Sequence, residues 1–307
     1  MTNMKPTLDI NLAGIRMKNP VMVASGTFGY GPEYAELVDL NKLGAIVVKG
    51  ISLEPWAGNK TPRMVEVSGG LINAIGLQNP GTKGFTEKYM PFLRKYDVPV
   101  IVNIWGKTLE EYIAVAEWFE KVEGVHALEI NISCPNVKAG GSSFGVHLDS
   151  TARVVAGVRA KTKLPIIPKL APNVSDIGAF AKVCEDNGAD AISLINSFPA
   201  MAIDIETRKP ILANISGGLS GPAIHPIALK LVYEAAKAVN IPLIAIGGIT
   251  SAKEAIEFMI AGASAVSVGT ANFIEPRTSL QVVEGISDYL IRHNMTKVQD
   301  LVRSIKL

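Results

Sequence analysis

The chain has 307 residues, 48% of them hydrophobic and 19% charged, a balance that fills a large core and excludes a disordered tract. Lys plus Arg number 30 against 28 Asp plus Glu, a net charge of +2, and no basic run gathers into a nucleic-acid stripe or a membrane-binding patch. The two cysteines, Cys134 and Cys184, exclude a disulfide framework and suit a reducing compartment.

Met1 to Asn11 contains no apolar signal core, and the longest apolar runs, such as Ile241 to Ile249, fall short of the roughly 20 residues that span a bilayer. A soluble, cytoplasmic protein is expected, with neither nucleic acid nor membrane as a partner. A short hairpin comes first, Thr7 to Gly14 followed by Ile15-Arg16-Met17, placed to plug the bottom of a barrel. Short β-branched runs then recur between amphipathic stretches: Val21–Ala24, Ala45–Lys49, Val100–Ile104, Ala127–Asn131, Ile166–Lys169, Ala191–Ile195, Leu243–Ile246 and Ala265–Val268. Turns built from Asp97-Val98-Pro99, Leu164-Pro165 and Ile241-Pro242 precede three of them, and Gly188-Ala189-Asp190 ends a helix before another. The helical stretches carry apolar residues at spacings of three and four, as in Leu109 to Phe119. Strand and helix alternate eight times, which predicts an α/β fold closed into a (β/α)8 barrel.

Two connections exceed ordinary βα loops, Ile51 to Tyr96 and Asn196 to about Pro226. They are insertions after strands 2 and 6, of the kind that cover an active site. With no linker or low-complexity segment, residues 1–307 read as a single domain.

The strands end in polar residues: Lys49, Asn103, Asn131, Lys169 and Asn196. Any one of these serves equally well as a helix or turn cap. Five at the C-terminal ends of barrel strands converge on one mouth, where this fold carries its catalytic groups. Two lysines there favour an anionic ligand or a cofactor ring on which negative charge develops, and asparagines suit an edge alternating C=O and N–H. Asn73, on the first insertion, could add an amide from above.

Strands seven and eight end in Gly247-Gly248 and Gly269-Thr270. Such turns bring backbone N–H groups to a phosphate, assisted by the N-terminus of a following helix, and this is the usual phosphate position of the fold. Gly217 to Gly221 offers a third flexible segment. Gly76 to Lys83 mimics a P-loop but breaks its spacing and contains Pro80. The four histidines lack ligand spacing, so no metal site is expected.

Cys184 sits on the inward stripe of a helix, as a small buried hydrophobe does. Cys134 follows strand four in Ser133-Cys134-Pro135-Asn136, ahead of Gly140-Gly141, and is the candidate working thiol.

Six motifs together resemble the dihydroorotate dehydrogenases, and specifically the soluble, class 1, NAD-linked type B catalytic subunit: Val47-Val48-Lys49-Gly50, Asn73 to Asn79, Glu129 to Asn136, Ile195-Asn196-Ser197, Ile246 to Ile249 and Ser267 to Thr270. They run from the second strand to the eighth. The resemblance implies FMN-dependent oxidation of dihydroorotate to orotate in pyrimidine synthesis, with Cys134 taking the C5 proton while hydride leaves C6. It implies that Lys49, Asn73, Ala74, Ile75, Gly76, Leu77, Asn131, Asn196 and Ser197 bind substrate. FMN would be held by Ser25, Lys49, Gly50, Asn103, Asn131, Lys169, Ile195, Gly221, Gly247, Gly248, Gly269 and Thr270. Membrane-linked relatives use Ser as base and carry an apolar N-terminal extension, and neither is found here.

The chain has no dinucleotide fingerprint and too few cysteines for a [2Fe–2S] cluster. A partner subunit carrying FAD and [2Fe–2S] is therefore expected, in a heterotetramer of two copies of each chain, passing electrons to NAD+. The alternatives are a fumarate-linked soluble enzyme or a related flavin barrel acting on another dihydropyrimidine.

Overall fold

The computed structural model describes residues 6–132 and 144–306. Eight strands close into a barrel: β1 (Val21–Val23), β2 (Ala45–Ile51), β3 (Val100–Ile104), β4 (Ala127–Asn131), β5 (Ile166–Leu170), β6 (Ile192–Leu194), β7 (Leu243–Ile246) and β8 (Ala265–Val268). Each pairs in parallel with its sequence neighbour, and β8 returns to β1 with Val268 opposite Val23. The expected (β/α)8 barrel is present, its strand ends within two residues of those read from sequence. Apolar residues dominate these strands because both faces are covered, the interior by side chains from the wall itself and the exterior by helices.

The helices are α1 (Gly81–Lys88), α2 (Met90–Leu93), α3 (Leu109–Phe119), α4 (Leu148–Arg159), α5 (Ile177–Asp186), α6 (His225–Ala238), α7 (Ala252–Ala261) and α8 (Thr278–Arg292). Helix α3 begins where Thr108 accepts a hydrogen bond from the Glu111 N–H, and it buries Tyr112, Val115, Ala116 and Phe119 on the wall. The connection from β1 to β2 departs from the expected alternation. Turns and a single 3-10 turn, Leu40–Lys42, replace an α-helix there, because Gly26, Gly29, Gly31 and Pro32 interrupt any helical run.

The N-terminal hairpin pairs Ile10–Leu12 with Ile15–Met17 and buries Leu12, Ile15 and Met17 in the main core. It lies at the N-terminal ends of the strands, where the Met17 methyl comes within 2.9 Å of the position a Cβ on Gly44 would take. Backbone bonds from Thr7 N to Thr296 O and from Val298 N to Thr7 O tie it to the last turn of the chain.

The two long insertions meet. Met64–Val67 and Gly70–Asn73 from the first join Phe198–Met201 and Ser216–Ser220 from the second in one four-stranded antiparallel sheet over the opposite end of the barrel. Ile72, Ala74 and Leu212 form a small core of their own beneath it. Gly217–Ser220, expected as a flexible segment, is thus strand. Its glycines are needed for close packing, since a Cβ on Gly217 would lie 2.5 Å from the Asn73 carbonyl oxygen.

No helix among the described residues is long and apolar enough to cross a membrane. No group of three or more His, Cys, Asp or Glu is placed to hold a metal ion among them either. Cys184 is fully buried on α5, and burial pushes its thiol up to about 12, consistent with a packing role.

Candidate active site

The C-terminal ends of the strands and the underside of the insertion sheet enclose two adjoining cavities. The larger, about 320 Å³, is lined by Ser25, Lys49, Gly50, Asn73, Ile75, Gly76, Leu77, Asn131, Lys169, Asn196 and Ser197. The smaller, about 110 Å³, is lined by Ile195, Gly221, Gly247, Gly248, Gly269 and Thr270. Ser25, Asn73, Lys169, Asn196 and Ser197 face both, so the two form one continuous recess.

Most residues singled out in the sequence therefore meet in one place; of the described ones, Ala74 and Asn103 do not line it. Ala74 turns its side chain into the small core under the insertion sheet. Asn103 is fully buried below the floor, and its Oδ1 would be 2.8 Å from a Cβ on Gly50. Cys134 lies outside the described residues, on the segment that leaves β4 after Asn131 and Ile132.

Lys49 stands at the edge of the larger cavity, its backbone N–H bonded to Gly29 O. Burial, then the neighbouring Arg63 guanidinium, hold its ammonium below the ordinary lysine range, with Glu33 opposing them. Two cations at one cavity edge repel each other and are relieved by an anion between them. Arg63 is a residue the sequence reading missed: it lies on the first insertion, and only the fold brings it back over β2. Its guanidinium is held by Gln78 Oε1 at 2.5 Å and Asn59 O at 3.3 Å.

The amides are pre-positioned by one another. Asn196 Nδ2 donates to Asn131 Oδ1 at 3.4 Å, and Asn196 Oδ1 accepts from Ser197 N at 2.8 Å. Asn131 is anchored from behind, where Tyr112 on α3 donates its hydroxyl to the Asn131 carbonyl at 2.7 Å. Asn73 Nδ2 reaches Gly218 O across the insertion sheet at 3.4 Å.

In the smaller cavity, Gly247 and Gly248 have φ of +141° and +68°, backbone that side-chained residues rarely adopt. A Cβ on either would also strike Ala228 or His225 at 2.7 Å. Thr270 Oγ1 donates to Ser220 Oγ at 2.8 Å, placing two hydroxyls beside the glycine turns. Helix α7, which follows the first of these turns, already carries a side-chain cap at its N-terminus. Ser251 and Glu254 form a capping box, in which Ser251 accepts from Lys253 N and the Glu254 carboxylate accepts from Thr250 N and Ser251 N. The signal was visible as Ser251-Ala252-Lys253-Glu254.

Beneath Lys169 the barrel interior holds a buried carboxylate. Glu129, at the centre of β4, accepts from Asn103 Nδ2 at 2.5 Å and Ser193 Oγ at 2.8 Å, with Lys169 Nζ 3.7 Å away. A glutamate in the middle of the apolar run Ala127 to Asn131 was the sequence signal for it, since a strand buried on both faces keeps a charge only when it is paired.

A closed parallel barrel with cations, amides and glycine turns gathered at the C-terminal strand ends has the architecture of an enzyme barrel, with a mouth whose lining suits an anion. The chain belongs to the dihydroorotate dehydrogenase family, whose sequence profile, described as Dihydroorotate dehydrogenase, matches residues 7–290. Similar curated proteins include one of Pelobacter propionicus, 54% identical over 303 residues, covering 99% of this chain and 100% of its own. One of Geotalea daltonii is 53% identical over 303 residues, covering 99% of each chain. One of Thermoanaerobacter pseudethanolicus is 52% identical over 300 residues, covering 98% of this chain and 99% of its own. All three carry the name dihydroorotate dehydrogenase B (NAD(+)), catalytic subunit.

Proposed function

We propose that the chain, acting as one barrel domain, oxidises (S)-dihydroorotate to orotate in de novo UMP synthesis, with FMN held at the barrel mouth and NAD+ as final acceptor. The observation that carries this reading is the single recess in which a chamber of cations and amides opens onto a pocket of glycine turns. The first suits a planar, anionic pyrimidine and the second a phosphate.

The donor set fits FMN. Gly247, Gly248, Gly269 and Thr270 would receive its phosphate, and Lys169, facing both cavities, would meet the ring. Asn103 Oδ1 is buried without a hydrogen-bond partner, an acceptor waiting for a ligand donor. When bound, FMN supplies the acceptor for the hydride that leaves C6 of the substrate. Lys49 and Arg63 hold the substrate carboxylate. Asn73, Asn131, Asn196 and Ser197 hold the ring edge and orient C5. Cys134, on the segment that leaves β4, takes the C5 proton as thiolate; a free thiol titrates near about pH 8.5, so the acid limb of the rate profile reports its ionisation.

The relatives' names support the NAD-linked reading over the fumarate-linked one, and the words "catalytic subunit" support a separate electron-transfer partner. That partner would carry FAD and [2Fe–2S], with two copies of each chain in a heterotetramer. An absorption spectrum of the purified chain tests the reading. A yellow protein bleached by dihydroorotate, yet unable alone to reduce NAD+ rapidly, is expected; a colourless chain, or bound flavin indifferent to dihydroorotate, overturns it.

A further inference from the structure

Glu129 is the feature of the recess that substrate and cofactor binding leave unexplained. Its side chain is 3% exposed and lies among residues of three other strands: Asn103 on β3, Lys169 on β5 and Ser193 on β6. A carboxylate buried this completely costs several kcal/mol unless it is paired and hydrogen-bonded. Hydrophobic residues fill most of the rest of the barrel interior, so core packing alone would favour an apolar side chain at this position.

Two consequences follow from the geometry. A carboxylate only accepts, so Asn103 must turn Nδ2 toward Glu129, and this fixes Oδ1 as the free end of the amide. Asn103 then turns an acceptor, and not a donor, toward Gly50 in the cavity wall. The second consequence concerns charge. Lys169 is 7% exposed at its side chain and faces both cavities, and the charged groups around it are Glu129 at 3.7 Å and, across the larger cavity, Lys49 and Arg63. Glu129 is thus the one carboxylate in contact with the lysine among the described residues, and it cancels the Lys169 charge at the point where a bound ring would gain electrons.

We propose that Glu129 is a positioning residue that fixes the Asn103 amide and counterbalances Lys169, setting how much more tightly the site binds reduced than oxidised FMN. The inference rests on the FMN reading above. Without the carboxylate, the full charge of Lys169 acts on the ring, and the reduced, more negative form gains.

The measurement is the ratio of FMN affinities in the reduced and oxidised states, read from the reduction potential of the bound flavin in the wild type and three variants. Glu129→Gln raises the ratio at least tenfold, which for a two-electron couple is about 30 mV. Lys169→Met lowers it by a similar factor. The double variant Glu129→Gln/Lys169→Met, in which both charges are gone, returns to within threefold of the wild type and informs even if Glu129→Gln alone does not fold. A residue that merely fills space would not produce this restoration. An unchanged ratio in Glu129→Gln, or a double variant that stays where Lys169→Met left it, overturns the proposal. A wild-type chain that retains no FMN would instead sink the cofactor reading itself.

Discussion

The wall of the recess and its roof carry the same kinds of residue under different constraints. Lys49, Asn131 and Lys169 project from strands of a closed parallel barrel, where Asn131 pairs with Lys169 and Lys169 with Ser193. Asn73, Ser197 and Ser220 belong to, or border, a sheet assembled from two insertions, with Gly218 opposite Asn73. The wall bonds into a continuous ring and has no edge to fray. The roof has edges, and a small core of three fully buried residues. A rigid wall suits the group whose electronic state must be controlled, and an independent roof suits the ligand that enters and leaves on every turnover.

That division can be broken first at the chemistry itself. Cys134→Ala is expected to keep FMN, since neither wall nor glycine turns change, and to slow flavin reduction by dihydroorotate by about 10² to 10⁴. Stopped-flow reduction checks it, and an unimpaired rate would remove Cys134 as base. Next comes the roof. Gly218→Ala puts a Cβ 2.7 Å from the Ser197 Cβ. Displacing Ser197 costs about 1–3 kcal/mol of overpacking, seen as a loss of orotate affinity of roughly fivefold to 150-fold. FMN content should be unaltered, and a parallel loss of FMN would show that roof and wall are not separable.

The smallest effect is expected at Arg63. Arg63→Ala weakens orotate binding by about 1 kcal/mol, roughly fivefold, for one lost charged contact at a half-exposed site. Its pH dependence is more telling. Lys49 binds an anion only while protonated, and its proton is lost below the ordinary lysine range because of burial first and Arg63 second. Orotate affinity therefore falls as the pH rises through that lowered value. With Arg63 gone, one lowering influence is removed and the fall moves to higher pH, while burial keeps it short of the ordinary range. Titrations of orotate binding across alkaline pH report this, and an unmoved midpoint would separate Arg63 from Lys49.

The same contrast explains what could be read from the sequence. The wall is local: β-branched runs and their polar last residues lie side by side in the chain, so the barrel and Lys49, Asn131, Lys169 and Asn196 were all legible. The roof is not local. Asn73 meets Gly218 across 145 residues, and nothing in either segment announces the other, so Arg63 was missed and Gly217 to Gly221 read as flexible. Ala74 was carried along with its motif, although its neighbours on the insertion turn it into the small core. Glu129 and the Ser251 to Glu254 capping box were different failures. Both were visible, one as a charge in a buried run and the other as a four-residue pattern, and each has a meaning set by what faces it in space.

The seam between the insertions also imposes an order of assembly. Half of the sheet over the mouth comes from residues 64–73 and half from 198–220, and the glycine turns come later still, at 247–248 and 269–270. A nascent chain that has emerged only as far as β5 already holds Lys49, Asn131 and Lys169, yet it has neither a covered chamber nor a seat for a phosphate. The recess is complete only once β8 and Thr270 have emerged, with α8 still to follow.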